Sequence, residues 1–189
     1  MSSSMKKPPV IKSIKQIGQS RLFTIEQLDL EFSNGETAVF ERIKANAGKA
    51  VMVAAITENK EILLVREYAA GTERYELQLP KGIVEPGEQS VQAANRELAE
   101  ETGYAADKLQ VLQTLRVSPG YFDHQTDLVL ATELYEQKLD TGDEPEELEV
   151  VKYPLSDIDS LLQRDDFSES RSIAGVLLVL RHLKYTGNA

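Results

Sequence analysis

The sequence predicts an α/β (α+β) fold in which a mixed sheet is interrupted by one central helix and closed by helices. Three observations carry this. KAVMVAAIT (49–57) and KEILLVREYAA (60–70) are near-continuous apolar runs, the pattern of strands buried on both faces. Residues 89–102 change to helical spacing and are bracketed by Pro86-Gly87 before and Gly103 after. A last amphipathic segment, 171–184, carries Ile173, Val176, Leu177 and Leu180 at i, i+3, i+4, i+7.

Taken in order, residues 1–9 are rich in Ser, Lys and Pro and are expected to form a mobile tail. Residues 10–45 are expected to form a small antiparallel sheet. Leu28, Leu30 and Phe32 alternate with Asp29 and Glu31, and Asn34-Gly35 signals a type I′ hairpin before Val39, Phe40 and Ile43. The main domain is placed at 46–189. It starts with the two buried strands, joined at Glu58-Asn59, and a third short strand, YELQLPKG (75–82), leads to the central helix. Ser90 can cap that helix, and Val91, Ala94 and Leu98 supply an apolar face for the sheet. LQVLQTLRVS (109–118), TDLVLATEL (126–134) and LEVVKY (148–153) are further strands, with the acidic loop TGDEPEE (141–147) between the last two. Residues 154–163 read as a helix, and 171–184 as another.

With 189 residues, 41% of them hydrophobic, the chain can bury a sizeable core. The net charge of −10 disfavours a nucleic-acid polymer or an anionic membrane as partner, but leaves room for a small phosphorylated ligand if a cation offsets the repulsion. There is no cysteine, which excludes disulfides, thiolate catalysis and cysteine-bound metals. MSSSMKKPPV lacks the apolar segment of a signal peptide, and IAGVLLVL (173–180) is too short to span a bilayer. A cytoplasmic protein is expected.

The chemistry concentrates in GIVEPGEQSVQAANRELAEETGY (82–104). On a helix, Glu97 and Glu101 lie one turn apart on one face and Glu100 lies 60° to the side. Like charges at this spacing destabilise a helix and raise one another's pKa. A hard divalent cation such as Mg²⁺, with Mn²⁺ as a substitute, relieves both costs through oxygen ligands. A solvated acidic face is the default for an isolated Glu-Glu pair, but the surrounding spacing argues otherwise. Gly82, Glu88, Arg96, Glu97, Leu98, Glu100, Glu101 and Gly103 stand in the register of the Nudix box, G-x5-E-x7-R-E-U-x-E-E-x-G-U, which the stretch resembles. The seven fixed identities agree by chance on the order of once in 10⁸ starts. Only the last position departs: Tyr104 is aromatic where an aliphatic residue is usual.

The resemblance implies an α/β/α sandwich with a mixed sheet and hydrolysis of a nucleoside diphosphate linked to another group. By position, Glu97 and Glu101 become the main metal ligands, Glu100 assists, and the backbone carbonyl of Lys81 is a further ligand. Arg96 would orient a glutamate and Glu88 would support the site. A carboxylate of the acidic loop would act as base, Glu144 first and Glu146 second. Outside the box, SRLFTIEQLDLEFSNG, LLVREYAAGTERYEL, RVSPGYF and GDEPEELEVVKYPL are similar to the branch of the family that cleaves ADP-ribose, diadenosine triphosphate and NADH and releases AMP. That similarity implies substrate contacts at Arg42, Arg66 and Glu76, and a homodimer formed through the N-terminal sheet. Tyr68, Tyr121 and Phe122 are candidates to stack an adenine, with packing the safer reading. The alternatives are hydrolysis of another nucleoside diphosphate such as a GDP-sugar, or a non-catalytic nucleotide-binding module. The intact box argues against the second.

Overall fold

A computed structural model describes residues 6–46, 48–137, 139 and 145–186. These divide into two compact units, one containing the described residues up to Gly48 together with Arg116–His124, the other containing Lys49–Leu115 and the described residues from Gln125 onward.

The first unit is a four-stranded sheet in the order β1-β2-β3-β9, with β1 at Val10–Gln19, β2 at Phe23–Glu31, β3 at Thr37–Ala45 and β9 at Phe122–Asp123. The β1, β2 and β3 pairings are antiparallel, and β9 runs parallel to β3. The segment Arg116–His124 thus joins the N-terminal unit, which a boundary at residue 45 did not anticipate. Ile43 donates its N–H to the carbonyl of Tyr121 at 2.7 Å, a pairing between residues distant in sequence. The β2–β3 turn also differs from the expected type I′. Gly35 alone has a positive φ, 85°, and Asn34 does not. Gly35 N–H bonds Phe32 O at 2.9 Å and Phe32 N–H bonds Glu36 O at 2.8 Å, the signature of a three-residue loop closed by a left-handed glycine.

The second unit is the sandwich. Its mixed sheet has the order β7-β4-β10-β8, and a three-stranded antiparallel sheet has the order β11-β5-β6. Here β4 is Ala50–Ala55, β5 Glu61–Ala69, β6 Arg74–Gln78, β7 Lys81–Ile83, β8 Tyr104–Arg116, β10 Gln125–Glu136 and β11 Glu149–Pro154. Every residue of β4 is buried because it lies between two helical layers. Met52, Ala54 and Ile56 pack with the helices α2 (Ile158–Leu161) and α3 (Ser170–Thr186) and with Phe167. Val51, Val53 and Ala55 pack on the other face with Ala93, Ala94 and Leu98 of helix α1 (Ser90–Thr102). Strict alternation along one apolar strand therefore builds an α/β/α sandwich.

Several local expectations are corrected. YELQLPKG is not one strand: β6 and β7 belong to different sheets, and Leu79-Pro80 makes the crossing between them. Pro80 has no N–H to donate, and the Leu79 N–H goes to the Ser172 hydroxyl at 3.1 Å. Residues 154–163 do not form one helix but a 3₁₀ turn at Leu155–Asp157 followed by the single turn of α2. The buried side of α3 is Ser172, Gly175, Val176, Val179 and Leu183, while Leu177 is 47% exposed, so the face is rotated by about one residue from the expected stripe. Gly175 explains the rotation. A Cβ there would lie 2.8 Å from Leu79 Cδ1 and 3.0 Å from Met52 Cε, so α3 approaches the sheet along a line that only glycine allows. Among the described residues no helix is long and apolar enough to cross a membrane.

Candidate active site

The site is built on α1 and the loop before it. Pro86-Gly87 turns the chain, with Gly87 at φ 88°. The helix starts after Gln89, whose N–H is accepted by the Gln92 side chain at 2.9 Å. Gln89 rather than Ser90 is the cap, since Ser90 turns its hydroxyl to Asp127 at 2.7 Å. The helix stops at Gly103, which is left-handed at φ 76° and bonds back to Ala99 O. Tyr104 follows directly. Its ring packs against the α1 side of the core and its hydroxyl accepts the Lys152 ammonium at 2.8 Å, so an aromatic residue fills the aliphatic slot.

Arg96 organises the carboxylates. Its Nε and Nη2 donate to Glu88 at 3.2 and 3.1 Å, its Nη1 to Glu97 at 2.8 Å and Glu100 at 3.0 Å, and its Nη2 also to Ile83 O at 2.9 Å. These bonds keep the guanidinium protonated, Glu88 being the main contributor, and hold the Glu88 carboxyl below its ordinary range. Glu97 lies directly over Gly82: a Cβ on Gly82 would sit 2.0 Å from the Glu97 Cδ. This is the physical reason for the first glycine of the motif. Burial pushes the Glu97 carboxyl up, with Arg96 opposing.

Glu101 is the deepest of the three acids. Burial pushes its pKa up to about 8, against the opposing pull of Lys81. The Lys81 N–H donates to it at 3.2 Å, while the Lys81 ammonium goes elsewhere, to Glu67 at 2.7 Å. Gln78 also donates to Glu67. Sequence reasoning missed this Glu67–Lys81–Gln78 cluster beside the box. The alternation of VREY distinguishes the two faces of β5 but does not indicate that Glu67 meets a lysine 14 residues on.

Lys81, Gly82, Arg96, Glu97, Glu100 and Glu101 line a cleft of about 570 Å³ together with Glu146, Glu147 and Val150. The structure therefore brings Glu146 to the box. Its Oε1 accepts the Tyr75 hydroxyl at 2.7 Å, a contact across 71 residues. Glu144 lies outside the described residues. Arg66 spends Nε on Glu149 at 2.9 Å and Nη1 on Asp166 at 2.7 Å. Glu76 is buried and held by the Arg74 Nε at 2.7 Å and by Ser168. It faces Glu67 across the β5–β6 pair, so two opposed acids each carry their own cation. Arg42, in the N-terminal unit, is engaged with Glu26 at 2.7 Å. Tyr68 packs edge to face on Tyr75, with ring centroids 5.7 Å apart.

Among the described residues no three acidic or histidine side chains already converge as a metal cage. The Arg96 guanidinium sits between Glu97 and Glu100 instead. The donor set nevertheless fits a hard cation. It consists of carboxylate oxygens, and the most buried of them is an acid that this environment would leave protonated near neutrality without added positive charge.

A sandwich of this kind, with a glycine-bracketed acidic helix over a cleft, defines a Nudix hydrolase, and the chain belongs to that family: the NUDIX domain model matches residues 47–174. The model of a NudE-type Nudix hydrolase N-terminal domain matches residues 9–42. The chain is 44% identical over 187 residues to the ADP compounds hydrolase NudE of Escherichia coli (strain K12), covering 99% of each chain. It is 32% identical to an ADP-ribose pyrophosphatase of Bacillus subtilis (strain 168), covering 84% of this chain and 85% of that one. A crystal structure of an ADP compounds hydrolase superposes with a TM-score of 0.90 at 43% identity, covering 99% of this chain and all of the other. The family acts with a divalent metal.

Proposed function

We propose that this enzyme hydrolyses the pyrophosphate bond of ADP-containing compounds, among them ADP-ribose, diadenosine triphosphate and NADH, and releases AMP. The observation that carries the reading is the buried Glu101 beside Glu97 in a cleft that the acidic loop also lines. The near-full-length likeness to ADP compounds hydrolases supports the substrate class.

In this reading Glu97 and Glu101 hold Mg²⁺, or Mn²⁺ in its place, with Glu100 and the Lys81 carbonyl assisting. The bound cation supplies Lewis-acid stabilisation of the diphosphate oxygens. The chain's own groups do the rest. Arg96 fixes the rotamers of Glu97 and Glu100 through two bonds from one nitrogen. Glu146, oriented by Tyr75, accepts a proton from the attacking water, and Glu144 is the alternative base on the same loop. Glu76, buried against Arg74 and Ser168, does not line the cleft, so any part it takes in substrate binding would be exerted through those partners. Arg66 would meet a substrate phosphate by exchanging the Glu149 and Asp166 carboxylates it now holds, and Arg42, now on Glu26, is the phosphate contact proposed for the N-terminal unit.

The N-terminal sheet supports assignment as a homodimer. Ile11, Ile14 and Phe40, which share one face of that sheet through their pairing with Leu30 and Leu28, are 49%, 51% and 46% exposed, an apolar surface unusual for a monomer. The acidic, cysteine-free composition suits a cytoplasmic enzyme that binds a small nucleotide and neither a nucleic-acid polymer nor a membrane.

The test is a panel of ADP-ribose, NADH, diadenosine triphosphate and GDP-mannose, each with and without Mg²⁺, with products resolved by chromatography. Cation-dependent AMP release from the first three is expected. Preferential cleavage of GDP-mannose would move the substrate class, and nucleotide binding without turnover would make the chain a binding module.

A further inference from the structure

The helix that carries the box glutamates is fastened at its start by a carboxylate outside the box. Asp127, on β10, is only 3% exposed. Its Oδ2 accepts the Ser90 hydroxyl at 2.7 Å and the Lys49 ammonium at 2.5 Å, and its Oδ1 accepts the Thr114 hydroxyl at 2.7 Å. Ser90 is the first residue of α1, Lys49 immediately precedes β4, and Thr114 lies on β8. One buried group thus ties the helix start to three adjacent strands, β4, β10 and β8. A carboxylate beside a helix N-terminus is also favoured by the helix dipole.

Two features distinguish this from an ordinary cap. The Ser90 hydroxyl is not used by its own helix, because Gln89 and Gln92 close that end. The apolar contacts that α1 makes with the sheet come largely from alanines, Ala93, Ala94 and Ala99, with Leu98 the one large side chain. Small side chains grip a sheet surface weakly and tolerate sliding or rotation, so the register of α1 falls to its polar fastenings. A buried ionic group stabilises less than an apolar one of the same shape but specifies one arrangement.

We propose that Asp127, acting through Ser90, is a positioning residue for the reaction: it fixes where α1 begins and hence how Glu97 and Glu101 enter the cleft. Glu97 lies two turns, about 10 Å, along the helix from Ser90. The far part of the helix has its own anchor, the Asn95 side chain accepting the Ala106 N–H at 2.8 Å. Releasing the near anchor leaves the first turn of α1 resting on its alanine contacts, while Asn95, Arg96 and Glu101 still tie down the later turns, so the helix start can shift and carry the Glu97 side chain with it. The inference rests on the hydrolase reading above.

The test compares full-length Ser90→Ala, Ser90→Thr and Asp127→Asn with the wild type. A Val179→Ala variant in the α3 core serves as a control for general destabilisation. Three quantities are measured: Mn²⁺ affinity without substrate by electron paramagnetic resonance, amide exchange along α1, and kcat and KM on ADP-ribose. Ser90→Ala should weaken Mn²⁺ binding and lower kcat by about tenfold with KM little changed, and should speed exchange in α1 alone. Ser90→Thr should restore all three, and Asp127→Asn should act in the same direction as Ser90→Ala. Unchanged Mn²⁺ affinity and α1 exchange in Ser90→Ala, or equal effects from Val179→Ala, would overturn the proposal. If the wild type turns over no ADP compound while the Mn²⁺ and exchange readouts shift as stated, the substrate assignment fails and the positioning role stands. If Asp127→Asn does not fold, the two Ser90 variants still decide.

Discussion

Replacing Gly82 by alanine tests the site geometry with one methyl group. The Cβ would lie 2.0 Å from the Glu97 Cδ and 2.1 and 2.2 Å from its oxygens. An ordinary contact needs about 3.4 Å, so the carboxylate must retreat by about 1.4 Å. The atoms displaced are the far end of a flexible side chain, and Gly82 does not have a positive φ, so the backbone can accept Cβ. The substitution also restricts the unfolded chain, which by itself stabilises by about 0.4–1 kcal/mol. Folding should therefore survive while the 2.8 Å Arg96–Glu97 bond and the oxygen positions do not. A misplacement of about 1 Å at a reacting centre costs on the order of 10²-fold in rate. Steady-state turnover of ADP-ribose with Mg²⁺, measured alongside the thermal midpoint, should show kcat down by about 10²-fold and Tm within a few degrees of wild type. A Gly82→Ala enzyme with kcat within about threefold of wild type would refute the placement of Glu97 at the working site.

Glu101→Gln should lower kcat by about 10² or more while the protein stays folded, checked by the same assay and by circular dichroism. The same residue predicts a pH dependence in EDTA. Its folded pKa of about 8 stands above the ordinary 4.5, so between those values the folded chain holds a proton that the unfolded chain has released. The sign is therefore a loss of stability as pH rises from about 4.5 to about 8, amounting to a few kcal/mol at most. Denaturant melts should show this slope in the wild type and a flatter one in Glu101→Gln or with added Mg²⁺. Gly175→Ala should overpack α3 against Leu79 and Met52, costing about 1–3 kcal/mol, or roughly 2–10 °C in Tm, with little change in kcat per folded molecule.

What was legible in the sequence was whatever depends on local spacing. The all-apolar β4 announced a strand between two layers, and Gly82, Arg96, Glu97, Glu101 and Gly103 announced a glycine-bracketed acidic helix. What was not legible depends on partners far along the chain. Leu79 looked like part of one strand with Lys81 because its N–H acceptor, Ser172, is 93 residues away. Ser90 looked like a helix cap because nothing nearby suggested Asp127, 37 residues on. The buried face of α3 lies one residue from its hydrophobic stripe because Gly175 carries no hydrophobic signal, although its lack of a side chain sets the depth of packing. The Tyr75–Glu146 contact joins a strand end to an acidic loop that by composition reads as solvated.

The distribution of cations in the cleft sets Glu101 apart from the other acids of the helix. Arg96 is shared among Glu88, Glu97 and Glu100, and the Lys81 ammonium is drawn to Glu67. Among the described residues no side-chain cation hydrogen-bonds to Glu101, which has the Lys81 N–H. A fold selected only for stability would place a lysine or arginine against so deeply buried an acid, or replace the acid by an apolar residue. Leaving it with a single backbone donor makes the cleft more favourable for a cation that arrives from solution. The resident guanidinium, earlier on the same helix, aims the neighbouring carboxylates of Glu88, Glu97 and Glu100. The net charge of −10 works against a dianionic substrate at long range, so a diphosphate needs local positive charge, to which a cation bound among these carboxylates would add.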